Sequence, residues 1–351
     1  MQINDNSQLQ ITLYDYIDLR YSDPINAISL SKTKVFFGTM MGRLVYYNLN
    51  KKKMTIFSDL CNEPIMGTSI DENNENLYSL IGDESVTSYE INNDENLRIK
   101  YKLYSNDEIH KDNCNSCFTM LNENKILMLY LNEPNSYDTP FQIYDCSYSI
   151  KIANKNNLQN IEGKITMSNY IVPFNFIDDK FIFIEQSEGK VRKLSIYDFK
   201  NNEKTEKEIN NYFVGHISFL YLLNDRNFLI VNNYKQIDII DENLSANKIM
   251  NYINPTGEII ALDYYYDDNN KLKIIFLDVN SNIYEGELKE GKFNILIHVN
   301  LNDINNIDED MKKKGLFDMD FPYYIKANDN YIVVTCDYAC FILKKLNYTY
   351  N

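Results

Sequence analysis

The chain has 351 residues and carries 35 Lys and Arg against 50 Asp and Glu, so its formal net charge is −15. Apolar residues make up 44% of the chain and aromatic residues 13%, which excludes an intrinsically disordered protein and indicates a sizeable core. The excess of negative charge argues against nucleic acid or anionic lipid as the main ligand, because both require a concentrated basic surface.

The N-terminal residues are polar and unlike a secretion signal, and no stretch approaches the ~18 apolar residues that cross a membrane. We therefore expect a protein that is not secreted, does not insert into a membrane, and works in the cytoplasm or the nucleus. In that reducing setting the six cysteines are expected to be free thiols.

The first predicted element is one alternating strand within residues 8–22, which has no repeat unit of its own. Seven short apolar runs follow, each bounded by polar residues or glycine and each too short for a helix, which predicts buried strands. The runs are residues 35–37, 77–80, 126–129, 181–184, 228–231, 274–277 and 331–334.

A second pattern accompanies each run. A shorter strand precedes it, and an alternating strand follows it. Five of these following strands end in an aromatic or apolar residue plus an acidic or amide residue, at Asn48, Glu90, Asp145, Asp198 and Asp241. With one outer strand added, each unit has four antiparallel strands and about 50 residues, which is typical of a propeller blade.

The predicted fold is therefore all-β, a single seven-bladed β-propeller of four-stranded antiparallel blades, with six as the alternative count. The strand within residues 8–22 is expected to supply the outer strand of the last blade and to close the ring, which removes an exposed sheet edge. The predicted blades are about residues 24–62, 63–106, 114–159, 163–213, 215–255, 256–302 and 321–351.

An insert, residues 303–320, separates the last two blades and is predicted to be helical. Asp303 is placed as its cap, Ile304, Ile307 and Met311 are spaced three and four residues apart, and Gly315 ends it. Two interpretations stay open: the helix docks a partner, or it packs down over the rim of the blade.

The strand endings resemble degenerate forms of the Trp-Asp ending of WD-repeat proteins, and Gly215-His216, 25 residues before Asp241, resembles that family's Gly-His opening. This resemblance implies a WD-type propeller that acts as a protein-interaction scaffold. In such blades, the turn between the second and third strands and the link to the next blade lie on one face, the top face. Three of these links are expected to be long, residues 104–113, 154–169 and 302–320.

The candidate partner-binding residues are those placed on the predicted top face, where Tyr, Met and Arg are typical of protein interfaces. They are Met40, Met41, Arg43, Asp83, Glu84, Tyr137, Tyr234 and Tyr338 in the turns, with Ile304, Ile307 and Met311 in the insert.

A weak metal pattern lies in the third unit, where His110, Cys114 and Cys117 have spacing that suits three zinc ligands. The pattern supplies no fourth ligand, and Cys117 begins a predicted inner strand where small buried thiols are common. Structural thiols are therefore the expected interpretation, and no cofactor is expected.

The leading functional hypothesis is a non-catalytic adaptor in a larger intracellular complex, which binds other proteins or short peptide motifs through its top face. No nucleophile elbow, phosphate-binding loop or zinc-protease motif is present. One alternative is a metal-dependent hydrolase with a site in the central channel, as in propellers that resemble sugar lactonases. Another is a tethering or coat subunit that caps a helical solenoid on a second chain.

Overall fold

The protein is described by a computed structural model in which the chain is built almost entirely of β-strands. The described residues are 10–19, 23–57, 63–71, 76–81, 85–91, 97–104, 114–121, 125–132, 147–154, 157–167, 170–177, 180–186, 192–209, 217–224, 227–232, 236–241, 250–252, 257–289, 292–307, 324–336 and 339–346.

The strands form seven four-stranded sheets, and their neighbours pair antiparallel. The first sheet contains β2 (Ile25–Leu30), β3 (Lys34–Thr39), β4 (Leu44–Asn48) and β5 (Lys53–Phe57). The second contains β6 (Ile65–Asp71), β7 (Asn76–Ile81), β8 (Ser85–Ile91) and β9 (Leu97–Tyr104). The third contains β10 (Cys114–Leu121), β11 (Lys125–Asn132), β12 (Ser147–Asn154) and β13 (Asn157–Met167).

The fourth sheet contains β14 (Tyr170–Ile177), β15 (Lys180–Gln186), β16 (Arg192–Asp198) and β17 (Glu203–Glu208). The fifth contains β18 (Ile217–Asn224), β19 (Asn227–Asn232), β20 (Gln236–Asp241) and β21 (Met250–Tyr252). The sixth contains β22 (Ile259–Tyr266), β23 (Leu272–Asp278), β24 (Asn282–Lys289) and β25 (Lys292–Asn300). The seventh contains β26 (Tyr324–Ala327), β27 (Tyr331–Cys336), β28 (Ala339–Leu346) and, paired with β28, β1 (Gln10–Asp18).

The predicted all-β class and the four-stranded antiparallel unit are confirmed. All seven apolar runs lie in the second strand of a sheet, for example residues 35–37 in β3 and 331–334 in β27. The strand within residues 8–22 is β1, which pairs with β28 from Gln10 opposite Leu346 to Asp18 opposite Ala339. The end of a sheet that carries the turn between its second and third strands is called its top end below, and the opposite end its bottom end.

The prediction for the third sheet is partly wrong. Its third strand is β12, in which Asn154 pairs with the first residue of the second strand. Asn48 and Asp198 occupy the same position in the first and fourth sheets. Asp145 lies outside the described residues. The predicted long link 154–169 also contains an outer strand, β13, which pairs with β12 and extends this unit beyond residue 159.

The predicted helix does not begin at Asp303. Residues 301–303 form one 3-10 turn, which the Asn300 side chain caps by accepting from the Asn302 N–H at 2.9 Å. Ile304 and Ile307 are buried in the apolar core of the sixth and seventh sheets, so they cannot form a docking face. The two isoleucines, three residues apart, lie in a tight turn that covers this core. Residues 308–320 of the insert lie outside the described residues.

Two compact units divide the chain. One comprises residues 1–72 and 252–351, and the other residues 73–251. The first unit has two apolar clusters, one formed mainly by the sixth and seventh sheets and one by the seventh and first. The second cluster holds β1 in place: Tyr47 Oη donates to Asp15 Oδ2, and Tyr14 Oη donates to Leu49 O.

The second unit buries consecutive apolar residues in the second strands of its sheets, including the stacked rings of Phe181 and Phe183, whose centroids lie 4.8 Å apart. The outer strand of its fourth sheet, β17, has the sequence Glu-Lys-Thr-Glu-Lys-Glu, and nearly every side chain is exposed. Its charges include a Lys193–Glu206 ion pair with the neighbouring strand, at 2.5 Å.

Candidate partner-binding surface

The candidate surface is built on the turn between β3 and β4, at the top end of the first sheet. Gly42 has a φ of 79°, the left-handed conformation that favours glycine. Its N–H donates to Thr39 O at 3.2 Å, and the Thr39 N–H donates to Arg43 O at 3.0 Å. The Arg43 N–H in turn donates to Thr39 Oγ1 at 3.0 Å, so the turn is internally cross-bonded and rigid.

Asp23, just before β2, anchors this turn from below. Its side chain is 2% exposed; Oδ1 accepts from the Met41 N–H at 2.8 Å, and Oδ2 lies 3.4 Å from Arg43 Nη1. The Met40 N–H donates to Pro24 O at 2.9 Å. Asp23 is not among the residues predicted from the sequence. Its only signal is an Asp before a Pro at a strand start, which is common in turns and points to no partner.

The side chains that this scaffold presents are apolar or cationic. Met41 is 61% exposed, Met40 is also exposed, and the Arg43 side chain is 43% exposed. The structure therefore places Met40, Met41 and Arg43 together at one accessible turn, the one between β3 and β4.

A third exposed methionine, Met66, belongs to the same neighbourhood through β2. Asn26 Nδ2 donates to Ile65 O at 3.1 Å and lies 3.3 Å from Met66 Sδ, two residues after the Pro24 that binds Met40. Gly38 makes this approach of β6 feasible, because a Cβ there would lie 2.1 Å from Ile65 Cγ2. We call Met40, Met41, Arg43 and Met66 the Met-Arg surface.

The top end of the sixth sheet has a different chemistry. Asp278 is fully buried, and its Oδ1 accepts from the N–H groups of Asn280 and Asn282, each at 2.9 Å. Asn300 Nδ2 donates to Asn280 O at 2.8 Å. The polar groups of this turn hydrogen-bond to one another, and the turn has no exposed large apolar side chain. It is therefore a weaker candidate for partner docking.

The remaining predicted site residues are not brought together by the described structure. Asp83, Glu84, Tyr137, Tyr234, Tyr338, Met311 and His110 lie outside the described residues. Cys114 and Cys117 lie in β10, and the zinc site stays a prediction. Within the described ranges, no group of three or more His, Cys, Asp or Glu could hold a metal ion.

A buried polar cluster lies at the bottom end of the sixth and seventh sheets. Lys345 Nζ donates to Tyr265 Oη at 2.8 Å, to Asn328 O at 2.6 Å and to Glu285 Oε2. Tyr265 Oη donates to Glu285 Oε1 at 3.0 Å. Burial lowers the pKa of Lys345 and raises that of Tyr265. Because the cation's donors are all used and it is sealed from solvent, this cluster joins strands and does not offer a binding site.

Among the residues that the structure describes, no helix is both long and apolar enough to cross a membrane. The sequence matches no protein-family profile and no curated protein.

Comparison with solved structures does find likenesses. The chain is similar to the WD40 β-propeller domain of Doa1, with a TM-score of 0.62 and 9% identity over 95% of this chain and 97% of that one. It is also similar to the computationally designed protein Ika8, with a TM-score of 0.56 and 9% identity over 95% of this chain and 100% of that one. The fold is thus of the WD40 β-propeller type, as the strand endings predicted.

Proposed function

We propose that the protein is a non-catalytic interaction scaffold whose seven four-stranded sheets are the blades of one ring, closed where β1 pairs with β28. WD40-type propellers generally act as protein-interaction scaffolds, and the likeness of fold supports this class of function. Because fold alone does not fix function, the proposal also needs a site in this chain. The Met-Arg surface is the observation that carries the proposal within this chain. It combines a rigid, cross-bonded turn with exposed apolar side chains.

The surface suits partner proteins or short peptides for three physical reasons. Methionine is flexible and polarisable, so it adapts to varied apolar side chains. Arg43 adds a planar cation whose side chain is 43% exposed, while its Nη1 lies 3.4 Å from the buried carboxylate of Asp23. The backbone of the turn is already ordered, so binding costs little conformational entropy on this side.

We propose that the partners are other proteins or short peptide motifs, that the chain is a subunit of a larger complex, and that it works in the cytoplasm or the nucleus. The predicted top-face residues Asp83, Glu84, Tyr137, Tyr234 and Tyr338 remain candidates for extending the surface. No observation among the described residues favours the hydrolase alternative, so we do not propose it.

The test uses the full chain with Met41→Glu and Arg43→Glu combined. Wild-type and variant proteins are compared by gel filtration of a gentle lysate, with mass spectrometry of the proteins that co-elute. We expect the wild type to elute far above 41 kDa and the variant to lose at least part of that assembly.

The matched control is Ile99→Glu, which also places a charge on an exposed apolar residue but lies on β9 of the second sheet. It should retain the partners that the double variant loses. Elution of the wild type as a lone 41 kDa monomer, or equal loss in both variants, would contradict the proposal.

A further inference from the structure

The first sheet is a basic region in an acidic protein. Residues 24–58 contain no Asp or Glu, although the whole chain has a net charge of −15. The same stretch holds six cations: Lys32, Lys34, Arg43, Lys51, Lys52 and Lys53. Its five lysines lie at the bottom end, in or beside the β2–β3 and β4–β5 turns, far along the strands from the Met-Arg surface.

The edge of this sheet lies directly beside those lysines. β5 is the last strand in the order β2-β3-β4-β5 and begins at Lys53. An edge strand directs alternate N–H and C=O groups away from its sheet, where another strand can pair with them. Among these lysines, Lys52 Nζ donates to Tyr14 O at 3.0 Å, and Lys32 pairs with Asp268 at a place where both side chains are well exposed.

Two apolar side chains of β5 extend the core towards this outer edge of the sheet. Met54 pairs with Tyr47 and Ile56 with Val45 across the β4–β5 ladder, so each shares a sheet face with a buried core residue. Tyr47 and Val45 are fully buried, whereas Met54 and Ile56 are 40% and 44% exposed. The apolar face of the first sheet is therefore not covered at its outer strand by the residues that the structure describes.

From these observations we infer a second docking site, separate from the Met-Arg surface. An extended acidic segment of a partner protein adds as a fifth strand beside β5. In antiparallel pairing, its apolar residues lie beside Met54 and Ile56, and its acidic residues follow at the C-terminal side, beside Lys51, Lys52 and Lys53. The lysines select the charge of the partner, and the backbone edge selects its conformation.

Charge decides between this occupant and a second copy of the chain. A second β5 would bring the same lysines and no acidic residue from residues 24–58, so it lacks the complementary charge. An RNA or a lipid headgroup could contact the lysines but could not use the strand edge or Met54 and Ile56. An acidic peptide uses all three features.

The test uses the full chain and a fluorescent probe peptide, acetyl-Thr-Val-Thr-Val-Thr-Glu-Asp-Glu-amide. Fluorescence anisotropy measures its affinity at low and at physiological ionic strength, and hydrogen–deuterium exchange locates it. We expect binding that weakens with salt and slower exchange in residues 53–57 but not in 203–208. Ile56→Lys, and separately Lys51→Glu with Lys53→Glu, should each weaken binding at least about tenfold.

Two controls separate the outcomes. Thr205→Lys on the charged edge strand β17 should leave binding unchanged. The Met41→Glu, Arg43→Glu variant should also bind the probe normally, so failure of the Met-Arg proposal and failure of this one are distinguishable. All of the substituted side chains are at least partly exposed, and thermal melting of each variant confirms that it is folded.

Several results would overturn the inference. Unchanged affinity in both β5 variants would do so, as would equal binding of a probe whose valines are replaced by proline, since that peptide cannot form a strand. Tighter binding of a single-stranded RNA or of anionic vesicles, unaffected by Ile56→Lys, would assign the lysines to another ligand. Sedimentation of the free chain as a β5-dependent dimer would assign the edge to a second copy.

Discussion

Two ion pairs in one compact unit, Lys345–Glu285 and Asp23–Arg43, have the same charges but opposite surroundings. In the first pair both side chains are sealed, at 2% and 3% exposed. In the second, the carboxylate is 2% exposed and the guanidinium 43%. In the first pair, the Lys345 Nζ donates to groups of the sixth and seventh sheets and so holds their strands together. The second uses a buried anion to fix a cation that still faces solvent, which is the arrangement expected where a protein presents a side chain to a partner.

The largest expected change in stability comes from Lys345→Met. It leaves the Glu285 carboxylate buried without its cation, and loss of one member of a buried pair typically costs about 3–5 kcal/mol. We expect a fall of that size in the free energy of unfolding, measured by urea denaturation of the purified full chain. Partner binding at the Met-Arg surface should survive at temperatures where the variant is folded.

The matched double variant is Lys345→Met with Glu285→Leu. Because it removes both charges, it should recover at least half of the lost stability. A double variant no more stable than Lys345→Met would show that the cluster acts through Tyr265 and Asn328 and not through the pairing of charges.

Asp23→Ala is expected to lower stability less than Lys345→Met does, and to weaken partner binding more. The Met41 N–H loses its acceptor and Arg43 loses its buried counter-charge, which costs about 1–3 kcal/mol. With the Arg43 side chain no longer held by Asp23, the surface should then lose partners in the co-elution assay as fully as the Met41→Glu, Arg43→Glu variant does. Intact binding with only a stability loss would make Asp23 a structural residue like Glu285.

The smallest effect belongs to an exposed pair, Lys193–Glu206 on the fourth sheet. Hydrogen bonds from Lys193 and Lys204 hold the pKa of Glu206 below its ordinary value of 4.5. The folded state thus binds fewer protons than the unfolded state near that pKa, so the contribution is present above pH 4.5 and is lost as the pH falls through the lowered pKa.

Glu206→Gln should therefore cost under about 1 kcal/mol at pH 7, and the difference from wild type should vanish in acid. Urea denaturation at neutral pH and below pH 4 measures both values. A difference that persisted unchanged in acid would show that the carboxylate's charge is not what stabilises this edge.

The sequence predicted the strands well because each apolar run is a purely local pattern. Residues 35–37 and 331–334 are buried, as their apolar character predicts. The alternating apolar and polar pattern that follows each run locates the third strand. The third sheet was predicted less well because 14 residues, 133–146, separate β11 from β12 and contain a second apolar pattern. Asp145 matches the sequence pattern of the other strand endings, but the residue that pairs with the first residue of the second strand is Asn154.

The candidate site was only half predictable for a related reason. Met40, Met41 and Arg43 follow from their place in a turn, whereas Asp23 becomes meaningful only when pairing brings it under that turn. Ile304 and Ile307 show the opposite error. A spacing of three residues fits a helix face, but over a single turn it fits equally a short cap over the core, and tertiary packing decides between them.

The pairing of β1 with β28 has a consequence for how the chain is made. Gln10 pairs with Leu346, 336 residues later (346 − 10). At about 5–20 residues per second, roughly 17–67 s of synthesis separate the two partners. Throughout that time β1 lacks its native partner strand, and an unpaired strand is exposed to wrong pairing and to chaperones. Of the seven described sheets, the seventh is therefore the last to be completed on the ribosome, although its outer strand is made before the strands of the other six.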